Sequence, residues 1–513
     1  MSDSKYNIVQ PLLLSIVLAI GMLVGYRLNN TGNVNLVSKI KKENNQSLKS
    51  IEEVIGLIDN RYLYRTNTKN ISNILMQKAV SVLDPFSKYI APKKYKSISD
   101  RLEGHFTGLG IESMFINDTL NVINVIKKSP AEKAGIKSLD KILQLGNVSI
   151  VGRKESVTGV RKIIQKYNSK DLDLLIVNRD RKIVPITVKI SKIEKNSIDK
   201  NFIIGDSIIY VSISQFTKYT YRDFMETIEK YVSNDRLGKL IIDLRNNPGG
   251  YLREVTKILD QFFDTSKLLM VKTVYKDGRG DILKTSGRTF YTIRDVVVLI
   301  NENSASGSEV MAGVLQDYDR ATIVGKPSFG KGLVQEQFDL DNGGALRLTI
   351  ANYYLPTGRS IQKQLNLDSN YVDLKSSQYE NKDTFYSLNK NRPLMSGSGI
   401  YPDTLVNDSG HLEIDYLFWE KDSLFLEWSV KYIHSHRQLL KMDEEKFINE
   451  FTIKIDSTIL SDLEMVDIKD QSLFEQHLKS KIGFILFGKN IEGKVLVDYD
   501  PFIAKALDVL KKR

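Results

Sequence analysis

The chain has 513 residues, 42% of them hydrophobic and 26% charged, which describes folded protein and leaves room for roughly three or four domains. It contains no cysteine, so disulfides, thiolate metal sites and a cysteine nucleophile are excluded. The net charge of +11 is spread along the chain without a long Lys/Arg run, which speaks against nucleic-acid binding.

Residues Ile8 to Tyr26 carry no charge and have about the length of a membrane-spanning helix, so an uncleaved anchor is expected in preference to a removed signal peptide. Lys5 precedes this run, and Arg27, Lys39, Lys41 and Lys42 follow it. That charge count alone would keep the bulk of the chain in the cytoplasm, but large domains translocate largely regardless of flanking charge. A polar tether over Thr31 to Gln46 leads into helical apolar spacing from Ser47 to Ser81, which stops at Pro85 in "LDPFSKYI".

From about Ile98 to Lys192 short strand patterns take over. "SPAEKAG" reads as a brief helix with Ser129 as N-cap, Pro130 in the first position and Gly135 at its end. "VTGVRKIIQKY" reads as a helix, and a hairpin is expected around Asn178 to Arg181. From about Ile193 to Val406 apolar strands alternate with helices, which argues for an α/β core with a buried sheet. Asn366 to Ser398 is polar and reads as a surface excursion. Gly410 to Arg513, with Trp419 and Trp428 near its start, reads as a separate, mostly helical appendage.

The chemistry concentrates in three places. "NENSASGSEVMAGVLQD" sets Ser304, Ser306 and Ser308 at a strand-to-helix turn, where a hydroxyl serves either as a cap or as a nucleophile backed by a helix N-terminus. A serine nucleophile needs a base, yet none of the five histidines lies between Glu112 and Gly410. Lysine remains, provided burial or like charge lowers its pKa of about 10.4 by roughly 3 units, at a cost of about 4 kcal/mol. Lys331 in "PSFGKGLVQEQ" is the candidate, flanked by glycines that permit close backbone approach. "DLRNNPGG" is the third place: Gly249 and Gly250 either form a simple turn or turn N–H groups toward a reacting carbonyl. His434-Ser435-His436 is a pair without a third ligand, so no metal or organic cofactor is expected.

Eight stretches in order, "LDPFSKYI", "GLGIE", "SPAEKAGIKSLDKIL", "IIDLRNNPGG", "NENSASGSEVMAGVLQD", "RATIVGKPSFGKGLVQ", "YYLPTGRSIQ" and "GIYPD", resemble the carboxyl-terminal processing proteases. These are PDZ-containing serine–lysine peptidases, and the match covers roughly Ile51 to Val406. The resemblance implies Ser306 as nucleophile, Lys331 as general base and Gln335 as the residue orienting the lysine amine. It implies an oxyanion hole from the N–H groups of Gly307 and of Gly249 or Gly250, with Gly250 preferred. It also implies that the loop Gly108, Leu109, Gly110 and Ile111 takes up a substrate's terminal carboxylate.

The implied fold class is α/β and multidomain. Residues 1–30 are an N-terminal membrane anchor or signal, 31–97 a tether and helical segment, and 98–192 a PDZ domain. Residues 193–406 form an α/β Ser–Lys peptidase core of the ClpP/crotonase-like kind, and 407–513 a helical C-terminal extension. The implied activity is a serine endopeptidase of the bacterial cell envelope, held at the inner membrane with its catalytic domain in the periplasm and cutting proteins near or from their C-termini. Its implied partners are protein or peptide substrates with accessible C-termini, the membrane, and a homo-oligomer or adaptor protein. A resting form with Ser306 and Lys331 misaligned is compatible with that family. The alternative is a non-catalytic or adaptor-dependent scaffold that binds tails on the same fold. The chain departs from the family pattern in having Gly307 in place of Ala, Phe86 in place of His, and no glycine before Asp140 or near Tyr167 to Lys170.

Overall fold

The computed structural model describes residues 46–152, 157–167, 170–232, 236–363, 384–407, 417–418, 420–463 and 470–512. The expected anchor over 1–30 and nearly all of the tether lie outside the described residues, as do Trp419 and residues 364–383 of the polar excursion. Among the described residues no helix is long and apolar enough to cross a membrane.

The chain divides into two units, residues 1–75 and 76–513. The described part of the first consists of α1 (Gln46–Arg61) and the beginning of α2 (Thr68–Ser81). Leu48, Ile51, Val54 and Leu57 recur at helical spacing on α1 and are exposed.

The second unit opens with the rest of α2 and continues with β1 (Lys88–Ile90) and α3 (Pro92–Glu103), a helix with proline in its first turn and Gly104 in the left-handed conformation at its end. A β-module follows, made of β2 (His105–Gly108), β3 (Ile111–Ile116), β4 (Thr119–Val125), α4 (Pro130–Lys133), β5 (Lys141–Leu145), β6 (Val148–Ser149), α5 (Val157–Gln165), β7 (Asp171–Val177), β8 (Ile183–Lys189) and β9 (Ser191–Glu194). Its antiparallel sheet runs β3-β4-β5-β7-β8, with β6 beside β5, and the β2–β9 pair closes its ends. As the sequence suggests, Ser129 caps α4 by accepting from Glu132 N, and the β7–β8 hairpin turns between Val177 and Ile183. The core of the module is Leu120, Val122, Ile142, Leu145, Leu172 and Ile176, all at or below 1% exposure.

The α/β core comprises β10 (Ile198–Ile204), β11 (Ile208–Ile213), α6 (Thr220–Glu229), β12 (Arg236–Asp243), α7 (Leu252–Asp260), β13 (Ser266–Tyr275), β14 (Ile282–Ser286), β15 (Thr292–Ile300), α8 (Gly307–Asp317), β16 (Thr322–Gly325), β17 (Leu333–Asp339), β18 (Ala345–Tyr354), the short pair β19 (Phe385–Tyr386) and β20 (Pro393–Leu394), and β21 (Thr404–Leu405). Its central sheet runs β10-β11-β12-β15-β16-β21 and is parallel from β11 onward. Strand side chains alternate between two layers. Leu240, Ile242, Val296 and Val298 pack against α6, α7 and α8, whereas Tyr210, Ile241, Val297 and Leu299 face the other way. A second, antiparallel sheet, β1-β18-β13-β14 with β17 beside β18, stands next to the first.

The opposite layer requires a correction. The segment after residue 406 is not wholly a separate appendage. It forms α9 (Asp422–Ser435), α10 (Glu444–Glu450), α11 (Ser457–Asp462), α12 (Gln471–Phe487), α13 (Lys489–Leu496) and α14 (Pro501–Lys511). Phe502, Ile503, Ala506 and Leu510 of α14 cover the second face of the central sheet. The reason is that all three long helices of the 193–406 segment lie on one side, and the apolar residues facing away from them need a cover. The helices before α14 share a core with Met114, Ile116, Ile123 and Leu139 of the β-module.

Candidate active site

Three loops meet at the ends of the parallel strands. The first runs from Asn301 into α8, and its three serines have different fates. Ser304 donates to Leu244 O (2.8 Å) and accepts from Asn301 N (2.9 Å), and Ser308 donates to Asn247 O (2.9 Å). Both are fully buried, whereas Ser306 is partly exposed. Ser306 also has a φ of 54° and ψ of −112°, a conformation that disfavours any residue with a side chain and costs about 1–3 kcal/mol. The turn therefore presents one hydroxyl outward and spends the other two on anchoring itself.

The second loop carries Asn247, Gly249 and Gly250. Asn247 is fully buried and works as its hub: Nδ2 donates to Ile213 O, Oδ1 accepts from Gly249 N, and its carbonyl accepts from Ala305 N and Ser308 Oγ. This separates the two glycines that the sequence leaves open. The Gly249 N–H is spent on Asn247, so Gly249 offers close approach in place of a donor, and a Cβ there would lie 2.6 Å from Ala305 O. Gly250 has φ +149°, and a Cβ on it would sit 1.9 Å from Phe216 O. Its N–H and that of Gly307 have no acceptor among the described residues. They lie side by side, since a Cβ on Gly307 would be 3.4 Å from Gly250 N.

The third loop leads into β17 and carries Lys331. Its Nζ donates to Gln335 Oε1 at 2.6 Å and lies 5.0 Å from the centre of the Phe86 ring. Burial pushes the Lys331 ammonium down to about 8, the Arg347 and Lys88 charges act the same way, and Asp84 and Glu309 oppose them. Gln335 donates in turn to Phe86 O at 2.8 Å, and a bulge in the β17–β18 pairing falls between Val334 and Gln335. Among the described residues no hydrogen bond joins Lys331 Nζ to Ser306 Oγ. The Tyr353 phenol, which burial pushes up to about 12, has the Ser306 hydroxyl beside it.

Glu309 ties the first and third loops together. It is fully buried, and its Oε2 accepts from Ser306 N and from Lys331 N, each at 2.8 Å. Its Oε1 accepts from Ser328 Oγ (2.6 Å) and Gly330 N (2.7 Å). Burial pushes this carboxyl up, and the four donors pull against that shift. Sequence reasoning missed Glu309 and Asn247; the Ser-x-x-Glu spacing of a capping box was the available signal for Glu309.

The structure thus brings together Ser306, Lys331, Gln335, Gly249, Gly250 and Gly307. The loop of Gly108, Leu109, Gly110 and Ile111 lies in the β-module, where Ile126 N donates to Gly110 O and Ala131 N to Leu109 O. It opens onto β3, an edge strand. Among the described residues no histidine is hydrogen-bonded to Ser306 or Lys331, and His105 is held by Glu103 (3.0 Å) and Asp100 (3.6 Å). The arrangement is suited to acyl transfer, with a hydroxyl beside two convergent N–H donors and an enclosed amine of lowered pKa.

The chain is similar in part to known serine-type peptidases. Residues 207–371 match the model of peptidase family S41. A probable CtpA-like serine protease of Staphylococcus aureus is 31% identical over 330 residues, 63% of this chain and 64% of that protein. A carboxy-terminal-processing protease of Bartonella bacilliformis is 36% identical over 290 residues, 55% of this chain and 64% of that protein. The chain therefore spans slightly less than two thirds of the length of these curated relatives. A solved photosystem II D1 C-terminal processing protease superposes with a TM-score of 0.35 at 22% identity, over 71% of this chain and 88% of that one. The resemblance to the carboxyl-terminal processing proteases is borne out.

Proposed function

We propose that this chain, which carries an S41 peptidase segment over residues 207–371, is a serine-type endopeptidase working through Ser306 and Lys331. The observation that carries this reading is the enclosed Lys331, its ammonium lowered to about 8 and its backbone locked to that of Ser306 through one Glu309 oxygen. Ser306 Oγ attacks the scissile carbonyl while Lys331 Nζ takes its proton. The oxyanion is held by the N–H groups of Gly250 and Gly307. Collapse of the tetrahedral intermediate releases the amine, which receives the proton from Lys331. Water, deprotonated by the same lysine, then hydrolyses the acyl-enzyme and regenerates the Ser306 hydroxyl. Gln335 holds the amine between these steps.

Because Nζ rests on Gln335 in this structure, the amine shifts toward Ser306 when substrate is engaged. The same observation favours an adaptor- or assembly-dependent enzyme as the second reading. In both, the β-module acts as a PDZ domain: a substrate tail adds to the edge of β3 and its carboxylate meets the N–H groups of residues 108–111. The uncharged run Ile8 to Tyr26 supports membrane attachment, and the resemblance to the carboxyl-terminal processing proteases supports an envelope location with the catalytic core in the periplasm.

The test is cleavage of an unstructured protein by the full chain from about pH 6 to 10, beside Ser306→Ala and Lys331→Ala. Activity should rise through an apparent pKa near 8 and vanish in both variants. Full activity in Lys331→Ala would sink the base assignment. Activity appearing only after addition of envelope extract would favour the adaptor-dependent form.

A further inference from the structure

We infer that Phe86 is a positioning residue for Lys331: its ring walls one side of the amine, and its carbonyl fixes the glutamine that holds the other. The inference rests on the peptidase reading for its activity readout alone. Lys331, Gln335 and Phe86 form a closed circuit. Nζ donates to Gln335 Oε1 at 2.6 Å, Gln335 Nε2 donates to Phe86 O at 2.8 Å, and the Phe86 ring returns to within 5.0 Å of Nζ. A second aromatic ring, Phe329, lies edge-on to Phe86 at 6.2 Å, two residues before the lysine.

Phe86 lies outside the matched 207–371 segment, on a strap from the start of the second unit that is fastened independently of the lysine. Asp84 Oδ1 accepts from Phe86 N and Ser87 N, and Asp84 Oδ2 from Ser87 Oγ, each at 2.7 Å. Ser87 Oγ accepts from Thr349 N at 3.1 Å, and β1 then pairs with β18 from Lys88 onward. The carbonyl that anchors Gln335 is therefore fixed by its own turn and by a sheet.

The ring acts on the amine in two opposed ways. Its π face attracts an ammonium and favours the proton, whereas its bulk keeps water away and disfavours the charge. Burial is the largest influence on Lys331, and the Phe86 ring is part of the wall that buries it, so the exclusion of water is the effect the variants should reveal. The charged groups facing the lysine are Arg347 from β18, Lys88 from β1, Glu309 from α8 and Asp84. Two of these four sit on the strap with Phe86, so the strap supplies a wall, an acceptor and two charges to a base it does not contain.

The experiment compares the full chain with Phe86→Leu and Phe86→Ala. The first readout is the pH dependence of kcat/KM. The second is direct titration of the Lys331 amine by NMR on lysine-labelled protein, assigned with Lys331→Ala. Leu preserves the wall and removes the π face, so the acid limb should stay at its position or move down. Ala admits water, so the limb should climb from about 8 toward the ordinary lysine value of about 10.4, costing about tenfold of neutral-pH activity per unit. Rates falling equally at every pH, with the limb unmoved in both variants, would overturn the role. If the parent cleaves nothing, the peptidase reading fails separately. The NMR titration then decides the inference alone: a raised Lys331 titration in Phe86→Ala sustains it, and an unmoved one ends it.

Discussion

Lys331 is an expensive residue to keep. Holding its ammonium near 8 rather than the ordinary value of about 10.4 amounts to roughly 3 kcal/mol of folded-state destabilisation at neutral pH. Between those two values the unfolded chain still carries the proton that the folded chain has lost, so stability rises with pH across the window. Lys331→Met should therefore be inactive and more stable than the parent. Its gain at pH 7 should be about 2 kcal/mol, after deducting about 1 for the unpaired Gln335 oxygen, and should fade as pH passes from 8 to 10. Denaturant unfolding at pH 7 and pH 10 checks this, and equal gains at both would contradict the buried-base picture. Ser306 and Lys331 were legible because a nucleophile and its base must be particular residue types, and the lack of core histidines narrowed the base to lysine. Glu309 and Asn247 were not, because their roles consist of donors and acceptors on other loops. Only the fold brings Ser328, Gly330 and Lys331 onto one carboxylate.

Helix α14 shows the same contrast between pattern and partner. "PFIAKALDVL" has an evident apolar face, yet periodicity says that a face is buried without saying against what. The strands were readable as buried on both sides, but the missing cover lay beyond the expected domain boundary. Asp500 adds an ionic attachment, pairing with Arg245 (2.7 Å), which also binds Asp243 (2.6 Å) and lies over the Phe502 ring at 4.7 Å. Phe502→Ala should thus cost the α/β core about 3 kcal/mol, lowering its denaturation midpoint together with that of the whole unit. A transition confined to the helical extension, with the core unaffected, would show that α14 is only leaning on the sheet.

The rest of the extension joins two parts of the molecule. Its helices share a core with β3 and β4, and α13 is also bound to β10 through Lys489–Asp199 (2.6 Å), Glu492–Lys200 (3.1 Å) and Asn490 Oδ1, which accepts from Asn201 N (2.9 Å). Lys200 and Lys481, together with Lys489, hold the Glu492 carboxyl below its usual range against the opposing effect of burial. Glu492→Gln removes the carboxylate that pairs with Lys200, while Lys489 keeps Asp199 and Lys481 keeps Asp422, and should cost about 2 kcal/mol. Hydrogen exchange should then quicken across the β-module at residues 111–125 as well as in α13. Exchange quickening in α13 alone would mean that the extension does not tie the module to the core.

The position of α14 also bears on how the molecule forms. Tyr210 and Phe502 occupy one packing layer, and nearly the whole core sequence separates them. A contact of such long sequence separation carries a heavy loop-closure entropy and comes late. A chain condensing from β10 onward leaves Tyr210, Ile241, Val297 and Leu299 open to water until residues 501–511 dock. Refolding from denaturant should therefore show a transient rise in binding of an apolar dye before α14 docks, and the time to that docking sets the window in which two such sheets can meet and aggregate.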